Sequence, residues 1–160
     1  MRRLFTAVGI AVLVLTSASI VFSQNDLRNG TWNLNTTKSK QDPTTPPRKS
    51  ETRTYEVSND TQKMNTERIN GDGSKQSYGY EAKFDGKDYP VTGQGPDEAD
   101  SISMKRADAY TVHAVMKKAG KDVLRTTSVV SKDGKTLTLN TKGTHPNGKS
   151  YSSVTVYDKQ

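Results

Sequence analysis

The chain has 160 residues, a formal charge of +7 from 24 Lys and Arg against 17 Asp and Glu, and no cysteine. The absence of cysteine excludes a disulfide-stabilised fold. Counted from Gln24 onward, Leu, Ile, Val and Phe supply only 17 of 137 residues, which excludes a large helical bundle with leucine-rich interfaces.

The N-terminal segment has the pattern of a secretory signal peptide. Arg2 and Arg3 precede an almost purely apolar run over residues 4–15, and small or permissive residues stand before Gln24. A single membrane anchor is the alternative, but Thr and Ser residues dilute the end of the apolar run. We therefore predict a signal peptide over residues 1–23. The mature protein would be exported, periplasmic or secreted, with no transmembrane anchor after cleavage.

Residues 24–160 are predicted to form a single domain of short β-strands. Apolar and polar residues alternate with a period of two, as in the set Tyr78, Tyr80, Ala82 and Phe84, which predicts strands with one buried face. Pairs of Asx and Gly, which are typical of type I′ hairpin turns, separate many of these segments. The pattern predicts about ten strands, near residues 31–35, 51–57, 61–69, 76–84, 88–92, 100–105, 109–117, 122–130, 135–142 and 150–158.

The order and spacing of these strands indicate an all-β fold. Consecutive strands joined by tight turns form a meander, and a long amphipathic meander hides its apolar face and its edges by closing on itself. We therefore predict an up-and-down antiparallel β-barrel of about eight to ten strands. A two-sheet sandwich is the alternative, although the short connections argue against its crossovers. The proline-rich segment 36–50 is predicted to be an extended loop.

Both ends of the predicted domain resemble known β-barrel families. Gly30-Thr31-Trp32 resembles the Gly-x-Trp signature of the first strand in lipocalins and fatty-acid-binding proteins, and residues 154–159 are similar to the closing strand of fatty-acid-binding proteins. Residues 30–39 also look like the start of a group of small exported bacterial proteins of uncharacterised function. The resemblance implies a calycin-like barrel whose base is closed by Trp32, in a bacterial protein.

The resemblance does not extend to the ligand site of fatty-acid-binding proteins. Those proteins carry an Arg two residues before the closing-strand Tyr, where this chain has Thr155. They also carry a helical lid after the first strand, where this chain has its proline-rich segment. The resemblance therefore implies a shape and not a fatty-acid carboxylate site.

No residues are spaced as a catalytic or metal-binding site requires. His113 and His145 lie on different predicted elements, and neither has an Asp, Glu or Cys at a ligand spacing. We expect His113 to be a strand-face residue. Asp97, Glu98 and Asp100 form the one tight acidic cluster, which a solvated loop explains better than a calcium site. We predict a non-enzymatic protein with no catalytic residues, no metal and no cofactor.

The basic composition does not indicate a nucleic-acid partner. Lys and Arg residues are scattered among acidic ones, whereas nucleic-acid-binding surfaces group them into stripes with interleaved aromatic residues. We expect a monomer that binds no nucleic acid.

The aromatic residues on the predicted strands suggest a ligand-binding interior. A barrel of this size can hold a small ligand when its inward side chains leave room, and many inward candidates here are small. We predict a small hydrophobic or amphipathic ligand, with Arg53 and Arg125 orienting its polar group. The predicted wall residues are Tyr55, Tyr78, Tyr80, Phe84, Ile102, Met104, Tyr110, Val112 and Met116.

One alternative to a ligand site remains open. The aromatic residues could simply fill the barrel core. The protein would then be a structural or interaction module of the cell envelope, acting through its polar outer face and the loop 36–50. An interior cavity of about 300 Å³ or more with apolar walls would favour the binding protein.

Overall fold

The computed structural model describes residues 26–160, which form a closed antiparallel barrel of ten strands. A single short 3₁₀ turn, Pro96–Glu98, interrupts this part of the chain. The strands are β1 (Gly30–Leu34), β2 (Arg48–Ser58), β3 (Thr61–Asn70), β4 (Lys75–Lys83), β5 (Tyr89–Gly93), β6 (Ser101–Arg106), β7 (Thr111–Lys118), β8 (Lys121–Val130), β9 (Thr136–Thr144) and β10 (Ser150–Lys159).

The strand order confirms the predicted up-and-down barrel. Each strand pairs with its neighbours along the chain, and β1 pairs with β10 to close the sheet, with Trp32 opposite Lys159. All ten strands lie where the sequence predicts them, and no boundary differs by more than three residues. The alternative of a two-sheet sandwich is wrong, because the ladder of hydrogen bonds is continuous around the barrel.

The alternation of side chains puts one face of each strand inside the barrel. On β3, Gln62, Met64 and Thr66 are buried while the residues between them are exposed. Trp32 is fully buried, as predicted for a residue that closes the barrel. The period-two pattern therefore fixes which side chains can reach the interior.

The hairpin connections divide into two groups, one at each end of the barrel. We call one end the mouth and the other the base. The mouth carries the connections over residues 35–47, 71–74, 94–100, 119–120 and 145–149, and the base carries residues 26–29, 59–60, 84–88, 107–110 and 131–135.

The connection at the mouth between β1 and β2 differs from its prediction at one end. It contains no helix, as predicted, and Lys40 forms an isolated bridge with Val154. Its C-terminal end was predicted at residue 50, but β2 already begins at Arg48. Pairing of Arg48 with Asn70 and of Ser50 with Ile69 on β3 extends the strand through an irregularity in register.

The predicted signal peptide, residues 1–23, lies outside the described residues. Within residues 26–160, no helix is both long enough and apolar enough to cross a membrane. Also within this range, no three side chains of His, Cys, Asp or Glu are grouped so that they could hold a metal ion.

Candidate ligand-binding cavity

A cavity of about 320 Å³ lies inside the barrel. Apolar and tyrosine side chains from β2, β3, β4, β7, β8 and β9 form part of its deeper walls, beside polar side chains of the same barrel, and residues of the mouth form its outer walls. The apolar and tyrosine residues are Tyr55, Met64, Tyr78, Tyr80, Val112, Met116, Leu124 and Leu139. A volume of this size is at the lower end of the range for small-molecule sites.

The structure brings six of the eleven predicted site residues to the wall of this cavity. Ile102 and Met104 are buried in the core but do not line the cavity, and Phe84 and Tyr110 are half-buried near the base. The guanidinium of Arg106 lies 4.3 Å from the ring centre of Phe84. The six wall residues are Arg53, Tyr55, Tyr78, Tyr80, Val112 and Met116.

The expected interior position of Arg125 is wrong. Its side chain is 68% exposed and pairs with Asp122 on the outside of the barrel. Leu124 is buried and lines the cavity, so the next residue along β8 must point outward. The small residues expected inside do line the cavity, with the exception of Ala82: they are Ala114, Ser128, Thr141, Ser153 and Thr155.

Three arginines surround one buried carboxylate beside the cavity. The side chain of Glu51 is 0% exposed, and its Oε1 accepts a hydrogen bond of 2.6 Å from Nε of Arg53. Its Oε2 accepts a hydrogen bond of 2.7 Å from Nε of Arg68 and lies 3.3 Å from Nη1 of Arg48. Burial alone would raise the pKa of Glu51, but the three arginines together hold that pKa well below its usual value.

The guanidinium of Arg53 is surrounded by tyrosine hydroxyls as well as by Glu51. It donates to the hydroxyls of Tyr157 at 3.1 Å, Tyr78 at 3.2 Å and Tyr55 at 3.4 Å. The Tyr157 hydroxyl in turn donates a bond of 2.8 Å to Glu51. Burial raises the pKa of Tyr157, which keeps this hydroxyl protonated. The cluster therefore holds Arg53 in one orientation inside the barrel.

The sequence analysis missed four members of this cluster, namely Glu51, Arg48, Arg68 and Tyr157. Glu51 precedes Arg53 by two residues and so shares its inward face, and the same period connects Arg68 to Gln62 along β3. The inward positions of Glu51 and Arg68 could therefore have been predicted from the alternation along β2 and β3. Arg48 was hidden by its assignment to the loop 36–50.

Gln62 contributes an unsatisfied acceptor to the wall. Its side chain is buried, and its Nε2 donates a hydrogen bond of 2.8 Å to the hydroxyl of Tyr80. Among the described residues, its Oε1 has no hydrogen-bond partner. A buried acceptor of this kind destabilises the protein by about 1–3 kcal/mol unless water or a ligand donates to it.

Asp97, His145 and Tyr151 form a polar cluster at the mouth, which we call the mouth cluster. Nδ1 of His145 lies 2.8 Å from Asp97 Oδ1, and the hydroxyl of Tyr151 donates to Oδ2 of the same carboxylate. The rings of His145 and Tyr151 stack with their centres 4.3 Å apart. Burial and the contact with Asp97 raise the pKa of Tyr151 well above its usual value. The cluster connects the turn Pro96–Glu98 to the hairpin between β9 and β10.

The prediction that the acidic cluster lies in a solvated loop is wrong for Asp97. Its side chain is only 7% exposed, because His145 and Tyr151 approach from a distant hairpin. The backbone of Asp97 has a φ of 49°, a left-handed conformation that Asp tolerates better than most residues. His113, by contrast, lies exposed on β7 as expected, with Nδ1 3.1 Å from the hydroxyl of Thr127.

A histidine between a buried carboxylate and a threonine resembles a catalytic arrangement, but its hydrogen bonds do not suit one. Nε2 of His145 lies 3.4 Å from Oγ1 of Thr44, while Nδ1 contacts Asp97. The Thr44 hydroxyl donates a shorter bond of 2.6 Å to Asp42. Its proton is therefore directed to a carboxylate and away from the imidazole that would have to accept it as a general base.

Comparison with known proteins gives no family for the chain. No protein-family model matches it, and no curated protein sequence matches it either. Among solved structures, the chain is similar to zebrafish ileal bile acid-binding protein complexed with cholic acid, with a TM-score of 0.49 and 8% identity over 84% of this chain and 99% of that chain. At this identity the likeness concerns the barrel alone and assigns no ligand to this chain.

Proposed function

We propose that the protein is a non-enzymatic carrier that binds one small amphipathic molecule inside its barrel. The observation that supports this most directly is the cavity of about 320 Å³, whose walls combine apolar and tyrosine side chains with polar ones. A core filled by its own side chains would leave no such space, since protein interiors are packed about as densely as organic crystals. The unsatisfied Oε1 of Gln62 adds a polar contact for a bound molecule.

The proposed place of action is outside the cytoplasm, in the periplasm or beyond it. Arg2, Arg3 and the apolar run over residues 4–15 support export, and an exported protein without cysteine is common in bacteria. Protein recovered from its host should have a mass that begins at Gln24. A mass that includes residues 1–23 would contradict cleavage.

Occupation of the cavity can be tested by filling it. Ala114 lies on the cavity wall, and Ala114→Phe should lower the affinity for the neutral fluorophore N-phenyl-naphthylamine by at least about tenfold. Ala107→Phe, at an exposed position of the base, is the matched control and should bind as the wild type does. Equal binding by both variants would place the fluorophore outside the barrel and contradict the proposal.

The natural ligand can be sought by native mass spectrometry of protein purified from its own host. An adduct of lipid-like mass that disappears in Ala114→Phe supports the carrier. Failure of the wild type to bind either a host molecule or the fluorophore would favour the structural or interaction module instead.

A further inference from the structure

The charges around the cavity do not balance. Three arginines line its wall, whereas the carboxylates at the cavity are that of Glu51, which all three arginines contact, and that of Asp97, which contacts His145 and Tyr151. The described residues place no lysine on the wall. Three guanidinium charges against these two carboxylates leave one positive charge at the cavity unmatched. The three arginines are Arg48, Arg53 and Arg68.

We propose that the ligand is an amphipathic monoanion whose charged group binds Arg48 and Arg68. This inference rests on the proposed function, because it names the chemical class of the molecule inside the barrel. A carboxylate or a sulfonate on an apolar body has the required chemistry. The apolar body would occupy the deeper part of the cavity between β3 and β7.

The hydrogen bonds of the arginines indicate which of them are available. Arg53 already donates to Glu51 and to three tyrosine hydroxyls. Arg68 donates through Nε to Glu51 and through Nη1 to Gln76 at 3.2 Å, and within residues 26–160 its Nη2 has no hydrogen-bond partner. The contact of Arg48 with Glu51 involves only Nη1. Each of the three guanidinium nitrogens of Arg53 is thus already engaged, whereas among the described residues Nη2 of both Arg48 and Arg68 is not, so Arg48 and Arg68 retain more donors for a second anion.

The position of these arginines also suits an incoming charged group. Arg48 begins β2 and Arg68 lies near the end of β3, so both are close to the mouth. Gln62 lies on the same inward face of β3, six residues further toward the base, which corresponds to about 20 Å along the strand. A ligand bound by its charged end near Arg68 would thus place its apolar part against the tyrosines and methionines of the interior.

Burial makes the unmatched charge significant. The side chains of Arg53 and Arg68 are 9% and 10% exposed, so water screens them poorly. An unpaired charge in such a site destabilises the folded protein, and a bound anion would remove that penalty. The rival explanation is a purely structural network in which Glu51 alone holds the three arginines.

Two probes that differ only in their charged group separate these explanations. Decanoate and decanol have the same chain length, and each can displace N-phenyl-naphthylamine from the cavity at neutral pH and fixed ionic strength. We expect decanoate to displace it at a concentration at least about tenfold lower than decanol, because charge-assisted hydrogen bonds add to the burial of the chain. Equal or better displacement by decanol overturns the monoanion and leaves the carrier intact. No binding of the fluorophore overturns both proposals.

Substitutions of the arginines then test which of them bind the anionic group of the ligand. Arg68→Gln should reduce the preference for decanoate over decanol by at least about tenfold, while the concentration at which decanol displaces the fluorophore stays unchanged. Arg68→Lys should restore part of the preference for decanoate. Arg48→Gln gives a second variant that leaves Arg53 and Arg68 to hold Glu51. Arg125→Gln, on the outer face, is the control and should keep the full preference. An unchanged preference in both glutamine variants overturns the assignment.

Discussion

The indole Nε1 of Trp32 donates a hydrogen bond of 2.8 Å to the main-chain carbonyl of Arg28. The same ring lies 5.1 Å from the ammonium group of Lys159, whose backbone is the register partner of Trp32 across the seam between β1 and β10. This seam is short, with three pairs of register partners. Trp32 therefore links the segment before β1 to the last strand and closes the base of the barrel.

Removal of this indole should weaken the whole barrel. Trp32→Ala should lower the free energy of unfolding by about 3–5 kcal/mol, because the side chain is fully buried. Trp32→Phe should lower it by a smaller amount, about 1–3 kcal/mol, from the lost hydrogen bond and the smaller ring. Urea unfolding followed by circular dichroism measures both. A loss below about 1 kcal/mol in Trp32→Ala would show that the seam is held without it.

The buried carboxylate of Glu51 should make stability depend on pH in the acidic range. The pKa of Glu51 is lower in the folded barrel than its usual value of 4.5. Its contribution to the free energy of unfolding is therefore fully present above pH 4.5 and is lost as the pH falls below that value. Glu51→Gln should be less stable than the wild type by about 3–5 kcal/mol at neutral pH, because three arginines lose their shared partner. This difference should narrow below pH 4.5.

Urea unfolding at a series of pH values measures that difference. Glu67→Gln, at an exposed position of β3, is the matched control and should follow the wild type. A constant difference between the wild type and Glu51→Gln from pH 7 to pH 3 would contradict the role of the ionised carboxylate.

The mouth cluster should slow the passage of ligand into the barrel. Asp97→Asn keeps a residue that tolerates a φ of 49° but weakens the contacts to His145 and Tyr151. Association and dissociation of N-phenyl-naphthylamine should both become faster, with a smaller change in affinity, in stopped-flow fluorescence. Asp122→Asn, which removes a carboxylate from the outer face, is the control. Unchanged rates in Asp97→Asn would mean that ligands enter elsewhere.

Two glycines with similar backbone conformations should differ in their tolerance of a side chain. Gly93 and Gly148 have φ values of 79° and 83°, but a Cβ at Gly93 would lie 2.5 Å from the carbonyl oxygen of Ser77, whereas a Cβ at Gly148 meets nothing within 4 Å. Gly148→Ala should cost about 1–2 kcal/mol from its backbone conformation alone. Gly93→Ala should cost at least about 1 kcal/mol more.

The difference between these two alanine variants can be read from thermal unfolding. Both variants carry the same cost of a positive φ, so the difference between them measures the steric clash of the new methyl group on β5 with the backbone of β4. Equal melting temperatures would show that the barrel relaxes around the added methyl group.

The barrel was predictable because its signals are local. A period of two in side-chain polarity and an Asx-Gly pair at a turn involve residues a few positions apart, and they determine the strands and their inward faces. The exposed position of Arg125 could also be predicted locally, because Leu124 beside it is apolar and side chains alternate between the two faces of β8.

The candidate site depended on contacts that only the closed barrel creates. Asp97 meets His145 across 48 residues of sequence, and Glu51 meets Tyr157 across 106. No local pattern specifies such pairs, because they depend on the order in which ten strands wrap around the interior. Composition and alternation thus determined the strands and which side chains face inward, whereas tertiary structure decided which of them reach the cavity wall, which charges are paired, which arginine donors stay available, and how much space the interior retains.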